Sequence, residues 1–345
     1  MKHRFNYEWT LKNANFTKDK GTVFSCFACG GGSTMGYKLA GFDVLGCNEI
    51  DPKMIEAYKV NHKPKYAYLE PIQTFKLRKD LPKELYNLDI LDGSPPCSSF
   101  SMAGNREKDW GKEKKFREGQ SEQVLDNLFF DFIDLAKELQ PKVVVAENVK
   151  GLLLGNAKEY VRKIYREFDK AGYYCQHWLL DASKMGVPQR RERVFFICLR
   201  KDLAEPFLYQ QDMFTEVPKL EILYSDFSDE TDKTIKDNTI VSEYWHKVNE
   251  GQSFSVAHEK GSYFGDYKES LNKPLKTIIG EPNHGGWHPF IQRMLNDYEL
   301  CNGGTYPLDY DFKGMKPKYL IGMSVPPVMT AQISTEIYTQ WLKIN

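Results

Sequence analysis

The first two hundred positions alternate between short apolar runs and stretches whose apolar residues recur every three or four positions. These are the signatures of buried strands and of helices packed on one side. Val23-Phe24-Ser25-Cys26-Phe27 predicts a strand ending in Gly30-Gly31-Gly32, with a helix from Ser33 to Leu39. Val44-Leu45-Gly46-Cys47 predicts a second strand ending at Glu49, and Met54 to Val60 has helical spacing. Leu88-Asp89-Ile90-Leu91 predicts a third strand, stopped by Gly93 and Pro95. Between Ser121 and Leu139, residues Leu125, Leu128, Phe129, Phe132, Leu135, Ala136 and Leu139 fall on one helical stripe. Pro141 ends that helix, and Val143-Val144-Val145 follows as a buried strand. A helix from Tyr160 to Ala171 and strands at Cys175 to Leu180 and Val194 to Leu199 complete the series. Such βαβα alternation implies an α/β fold with a mostly parallel sheet covered by helices.

Beyond Lys201 the periodicity fades. Residues 201–290 are irregular, polar and aromatic, punctuated by prolines and by Gly285-Gly286, and suggest a smaller domain of short strands and loops. Residues 327–344 look helical again. The expected division is 1–200, 201–312 and a C-terminal segment, 313–345, that returns to the first domain. There is no internal repeat and no low-complexity segment.

Composition narrows the classes. Lys+Arg and Asp+Glu both number 47, so any nucleic-acid contact must come from a local basic surface. Seven scattered cysteines do not form a disulfide pattern. Cys26-Phe27-Ala28-Cys29 is a C-x-x-C with no second pair at zinc-ribbon spacing, so no metal is expected. No apolar run approaches the length needed to span a bilayer, and Met1 to Asn6 has no apolar core. The expectation is a reduced, cytoplasmic, monomeric enzyme without a membrane partner.

In a parallel sheet, ligands bind beyond the carboxyl ends of the strands. The glycine turn lies at one such end, and Glu49, about 20 residues on, could accept bonds from ribose hydroxyls. The glycine spacing fits a dinucleotide pyrophosphate poorly, and a plain tight turn with a solvated glutamate explains it equally well. Gly93-Ser94-Pro95-Pro96-Cys97 is more informative: a strand delivers the chain to its edge, and two prolines hold the following thiol in place. A thiol so placed can act as a nucleophile, although most cysteines are buried structural residues. Residues 98–120 are polar and modestly basic, which suits either a lid or a solvated loop. Val143 to Val149 ends in Glu147-Asn148, a carboxylate at a buried strand end that could share a pocket with Cys97 or face solvent. In Gln189-Arg190-Arg191-Glu192-Arg193, alternation sends Arg191 and Arg193 to one face, where they suit a carboxylate, a phosphate or a base carbonyl, or form a surface basic cluster.

Taken in order, these segments resemble the DNA cytosine-5 methyltransferase family. Phe27-Ala28-Cys29-Gly30-Gly31-Gly32 is similar to its F-A-G-x-G-G donor loop, and Asn48-Glu49-Ile50-Asp51 to its second donor motif. Gly93 to Cys97 is similar to the nucleophile motif, Glu147-Asn148-Val149 to E-N-V, and Gln189 to Arg193 to Q-x-R-x-R. Ile321-Gly322-Met323-Ser324-Val325-Pro326-Pro327 resembles the closing G-N-S-V-P-P. Three positions depart from the pattern: Cys29 for Gly, Ser98 where many members have Gln, and Met323 for Asn.

The resemblance implies a Rossmann-like S-adenosylmethionine-dependent fold with a target-recognition domain over 201–312. It implies methyl transfer to C5 of a flipped-out cytosine in duplex DNA, with S-adenosylhomocysteine as product. In that scheme Cys97 adds to C6, Glu147 bonds the N3 edge, and Arg191 and Arg193 hold the base carbonyl. Phe27, Ala28, Gly30, Gly32, Glu49, Ile50, Pro95, Ser324 and Val325 form the donor pocket, with Glu70 and Asp92 near the adenine or the sugar. A restriction–modification, phage or solitary role follows, the first with a cognate restriction endonuclease as partner. The rivals are a tRNA cytosine-5 methyltransferase on the same fold, a silent nucleic-acid-binding relative, and more distantly a nicotinamide-dependent oxidoreductase.

Overall fold

Apolar runs too short for helices pair into a central sheet, and each run is buried because helices cover it. The computed structural model describes residues 3–96, 127–154, 157–204, 213, 214, 217, 220–233, 240–261, 265–281 and 283–343. Cys97, the 98–120 segment and the first part of the helix expected from Ser121 lie outside these residues. The described chain forms two units that interleave in sequence. A sheet unit comprises Phe16–Leu180, Glu192–Glu216 and Ile333–Asn345; a second unit comprises Met1–Asn15, Asp181–Arg191 and Val217–Gln332.

In the sheet unit, β1 (Thr22–Cys26) leads through the glycine turn into α1 (Gly32–Leu39), then β2 (Asp43–Glu49), α2 (Pro52–His62) and β3 (Tyr66–Leu69). A short α3 (Ile72–Phe75), β4 (Ile90–Gly93), α4 (Leu128–Leu139) and β5 (Val143–Val149) follow. Next come α5 (Lys158–Lys170), β6 (Tyr173–Asp181), β7 (Glu192–Arg200) and a single turn, α6 (Lys201–Ala204). The sheet order is β3-β2-β1-β4-β5-β7-β6. Strands β1 to β5 pair parallel, and β7 runs antiparallel to β5. The expected mostly parallel α/β sheet is therefore present.

Local chemistry sets the elements. Asp51 caps α2 by accepting the amides of Lys53 and Met54, with Pro52 at the first helical position, where a missing N–H costs nothing. Helix α4 buries Leu128, Phe129, Phe132, Ile133, Leu135, Ala136 and Leu139, the described part of the stripe read from spacing plus Ile133; Leu125 lies outside the described residues. Gln140 then turns left-handed ahead of Pro141. Phe129, Phe132, Phe168 and Phe196 meet Phe24, Leu91 and Val144 in the main core, each Phe side chain worth roughly 1.5–3 kcal/mol of burial. Strand β3 has no counterpart in the sequence expectations: Tyr66-Ala67-Tyr68-Leu69 is an apolar run of only four residues, half-buried or exposed in the fold.

The second unit carries less regular structure. Among its described residues are α7 (Ile240–Lys247), the two-residue parallel strands β8 (Tyr267–Lys268) and β9 (Gly286–Trp287), α8 (Asp297–Gly304) and α9 (Pro317–Met323). Helix α10 (Pro327–Ile337) begins in this unit and ends in the sheet unit, where residues 338–342 continue it as a π-helical turn. Arg293 and Glu299 form a fully buried pair, 2.6 Å apart, and Tyr224 donates to the same carboxylate. The N-terminal residues belong here: Trp9 Nε1 donates to the Thr305 carbonyl, and the amides of Leu11 and Lys12 to Asp309.

One contact in the sheet offers a direct check. An added Cβ on Gly46 in β2 would lie 1.9 Å from the Tyr66 carbonyl oxygen of β3. Gly46→Ala must push the two backbones apart, so we expect a loss of about 1–3 kcal/mol in urea denaturation. An unchanged midpoint would contradict the close approach.

Candidate active site at the carboxyl edge of the sheet

Strand register gathers the predicted groups. Cys26 of β1 pairs with Asn48 of β2 on one side and Gly93 of β4 on the other, and Gly93 pairs with Ala146 of β5. All four strands point the same way. The next residues, Phe27, Glu49, Ser94 and Glu147, therefore stand in one row across four adjacent strands. At the usual strand spacing this row is about 14 Å long.

At one end of the row lies the glycine turn. Phe27 and Cys29 adopt left-handed backbone, φ 52° and 51°, and Gly31 follows with φ 87° as the cap of α1, where Gly32 is the first residue. A Cβ on Gly31 would sit 2.2 Å from His62 Nε2, so only glycine fits. That histidine is buried, its ring nitrogen 3.1 Å from the Gly30 carbonyl, and burial pushes its pKa down to about 3, leaving it neutral. Ala28 is buried, and its amide donates to the Asn48 carbonyl at 3.4 Å. The Phe27 ring packs edge-on against Phe132 of α4, 6.4 Å between centroids.

Glu49 stands beside this turn. Its carboxylate accepts the amide of Cys29 at 2.7 Å and those of Ile50 and Asp51 at 2.9 Å each. Three amides fix its direction at the strand end. An anchored carboxylate, a strained glycine turn and an aromatic ring at one sheet edge form a donor set that fits a nucleoside: hydroxyls for the carboxylate, an apolar face for the ring.

Glu70 and Asp92 occupy other surroundings. Glu70 pairs with Arg78 at 2.9 Å and accepts from Thr74. Asp92 is 4% exposed and accepts from Ser25 Oγ at 2.7 Å and Tyr37 OH at 3.1 Å. Burial pushes its pKa up to about 7; the bonds from Ser25 and Tyr37 oppose this, and the charge of Glu147 adds to it.

At the other end of the row, β7 supplies the partner of Glu147. Glu147 sits opposite Phe195 and Arg193 opposite Val149, so the two charged side chains are diagonal neighbours on one face. Arg193 Nε lies 3.0 Å from Glu147 Oε1, and both side chains are largely buried. Burial lowers the Arg193 pKa and Glu147 opposes the shift. The adjoining Asn148 was absent from the expected site residues. It donates from Nδ2 to the Pro95 carbonyl at 3.2 Å and accepts the Val149 amide, tying the Pro95-Pro96 turn to β5. Its sequence signals were its place in the Glu147-Asn148-Val149 match and its polarity on a largely apolar strand. Cys97 follows this turn, outside the described residues.

Arg191 has a different environment from Arg193. It belongs to the second unit, is 3% exposed, and donates to the carbonyls of Ile278, Gly322 and Ser324 at 2.9–3.0 Å. The extended alternation does not reach it, because β7 begins at Glu192. Gln189 works alongside, accepting the Ile278 amide and donating to the Gly303 carbonyl. Ser324 accepts from Tyr306 OH at 2.7 Å and donates to the Leu320 carbonyl; Val325 is buried between α9 and α10. These bonds fasten the closing motif without the asparagine that Met323 replaces. Cys26, Cys47 and Cys198 are buried strand residues whose thiols burial pushes up, as expected of structural cysteines. No cluster of three metal-ligating side chains occurs among the described residues, and no described helix is long and apolar enough to cross a membrane.

Comparison with known proteins bears on this geometry. The family model for C-5 cytosine-specific DNA methylases matches residues 21–339. The Type II methyltransferase M.FnuDI of Fusobacterium nucleatum is 38% identical over 181 residues, 52% of this chain and 47% of that protein. The chain thus spans about half the length of this relative, and 52% of M.NgoPII of Neisseria gonorrhoeae. M.NgoFVII, also of Neisseria gonorrhoeae, aligns over 95% of this chain and 89% of its own length at 26% identity. Among solved structures, an Escherichia coli prophage protein described as a DNA modification methyltransferase superposes with a TM-score of 0.69 at 20% identity, covering 93% of this chain and 99% of that one. Spodoptera frugiperda DNMT2 gives 0.64 at 16%, covering 92% and 99%. At these identities the superpositions establish the fold.

The state of Asp92 yields a pH prediction. Its folded pKa lies above the ordinary carboxylate value, so ionisation costs the folded state more than the unfolded one. The contribution of this group to stability is full below about pH 4 and is lost as pH rises toward 7. Asp92→Asn removes that loss. Its melting temperature relative to wild type should climb between pH 4 and pH 7 and level off above. A difference independent of pH would contradict the assignment.

Proposed function

Because the chain belongs to the C-5 cytosine-specific DNA methylase family, we propose that it transfers a methyl group from S-adenosylmethionine to C5 of a cytosine in a specific duplex DNA sequence. The supporting observation is the row of strand ends, with Glu147 held by Arg193 beside the Asn148-anchored Pro95-Pro96 turn.

The chemistry requires help because cytosine C5 is a weak nucleophile. The Cys97 thiolate forms a bond to C6, and the C5–C6 π electrons shift toward C5. Glu147 bonds the N3 edge and supplies a proton there, relieving charge that develops in the ring. Arg193 orients Glu147. Arg191 acts through the closing motif it fastens, in addition to any contact with the base carbonyl. After methylation, loss of the C5 proton returns electrons to the ring and expels the Cys97 thiolate. The target atoms lie within the base stack, so the cytosine is flipped out. Phe27 and the turn through Ala28, Gly30 and Gly32 would hold the donor, with Glu49 for its ribose and Ile50 for its adenine. By the family resemblance, Pro95, Ser324 and Val325 would also hold the donor, with Glu70 and Asp92 near its adenine or sugar. Bound S-adenosylmethionine supplies an electrophilic methyl group and leaves as S-adenosylhomocysteine. Residues 201–312 read the sequence.

The curated relatives are named as Type II methyltransferases, which favours a restriction–modification role, with a cognate endonuclease sharing the site; the enzyme acts as a cytoplasmic monomer.

Methylation-sensitive sequencing of DNA from expressing cells identifies the target. On a duplex carrying it, tritiated methyl transfer should fall at least 10³-fold in Cys97→Ser, and roughly 10²-fold or more in Glu147→Gln, whose neutral amide carries no charge to pair with Arg193 and no carboxyl proton to give. Undiminished transfer in Cys97→Ser, or transfer to tRNA and not to duplex DNA, would overturn the reading.

A further inference from the structure

The second unit holds an exposed aromatic ring on a turn built largely from buried polar groups. His288 is fully buried, and its Nδ1 accepts the amides of both Phe290 and Ile291, at 3.1 and 3.0 Å. A nitrogen accepting two N–H groups carries no proton, so His288 is the neutral tautomer with its hydrogen on Nε2, directed at Ser228 Oγ 3.0 Å away. Burial also lowers its pKa. The same residue is gripped through its backbone: its carbonyl accepts Trp245 Nε1 at 2.9 Å, and its amide donates to the Arg293 carbonyl. The Arg293 amide closes the turn onto the Ile291 carbonyl at 2.7 Å, and Arg293 is itself locked to the buried Glu299.

Every local interaction therefore fixes 288–293, yet the tip residue, Phe290, is 63% exposed beside the buried Trp287, His288 and Pro289. Isolated exposed apolar residues are ordinary. A ring presented on a backbone locked by buried polar groups is different, because the backbone entropy of the segment that carries it is already lost before a partner arrives. Aromatic rings so presented suit stacking on nucleobase faces or wedging at a base step.

We propose that Phe290 is a preorganised contact to the bases of the DNA substrate, a substrate-reading residue supplied by the second unit. This rests on the DNA methyltransferase reading above. The flat aromatic face carries the interaction, not charge.

The test uses the full-length protein and the duplex identified by methylation sequencing. In Phe290→Ala, the KM for duplex should rise at least tenfold with kcat within about threefold, since the residue lies outside the reacting groups. Phe290→Tyr should restore the wild-type KM and Phe290→Leu should not. The slope of log affinity against log salt should be unchanged, because no phosphate contact is lost. Melting temperature should hold in all three variants. A Phe290→Ala KM within twofold of wild type, full rescue by Leu, a loss explained by a lowered melting temperature, or a change in oligomeric state in its place would each overturn the proposal. A wild-type protein that methylates no DNA would instead overturn the parent reading.

Discussion

The parallel hydrogen-bond ladder that sets Asn48, Cys26, Gly93 and Ala146 side by side is the constraint from which the candidate site follows. A one-residue slip in any of these pairings would turn a whole strand over and move Glu49 or Glu147 out of the row. The buried faces of β1, β4 and β5 forbid such a slip, because Phe24, Leu91 and Val144 would leave the core. The core therefore fixes where the chemistry sits. Within the row, the Arg193–Glu147 pair is the second constraint. Removing either partner leaves a largely buried charge uncompensated, typically a loss of 3–5 kcal/mol, so the carboxylate and its orienting cation must be retained together.

The Q-x-R-x-R segment divides its labour at a unit boundary. Arg193, inside β7, serves the carboxylate at the sheet edge. Arg191, two residues earlier and in the other unit, gathers the carbonyls of Ile278, Gly322 and Ser324. A guanidinium suits this task because its fork of donors can serve several carbonyls at once. Gln189 adds two more bonds of the same kind, and Tyr306 anchors Ser324. With these in place the closing motif is held without the asparagine replaced by Met323.

Much of this was legible in the sequence. Strands β1, β2, β4, β5 and β7 are apolar runs with turn residues at their ends, and α4 shows its buried stripe directly. What sequence could not give had particular physical reasons. Strand β3 is an apolar run of four residues, Tyr66-Ala67-Tyr68-Leu69, too short for its periodicity to separate a strand from other structure. The packing of Trp9, Leu11 and Lys12 against Thr305 and Asp309 joins residues nearly three hundred positions apart, which no local pattern encodes. Alternation places two arginines on one face only while the backbone stays extended, and that condition ends at Glu192. Asn148 is visible in the sequence as a polar residue in an apolar strand, but its grip on the Pro95 carbonyl exists only once β4 and β5 are paired.

The central claim is covalent: Cys97 attaches to C6 of the target cytosine while the carboxylate at the end of β5 attends the ring. Fluorine at C5 blocks the proton loss that releases the thiol. The most direct measurement is therefore mass spectrometry of the protein incubated with S-adenosylmethionine and a target duplex carrying 5-fluorocytosine. The account predicts a stable protein–DNA adduct whose peptide map places the nucleotide on Cys97. An adduct on another residue, or none at a duplex whose unmodified counterpart the protein methylates, would contradict it.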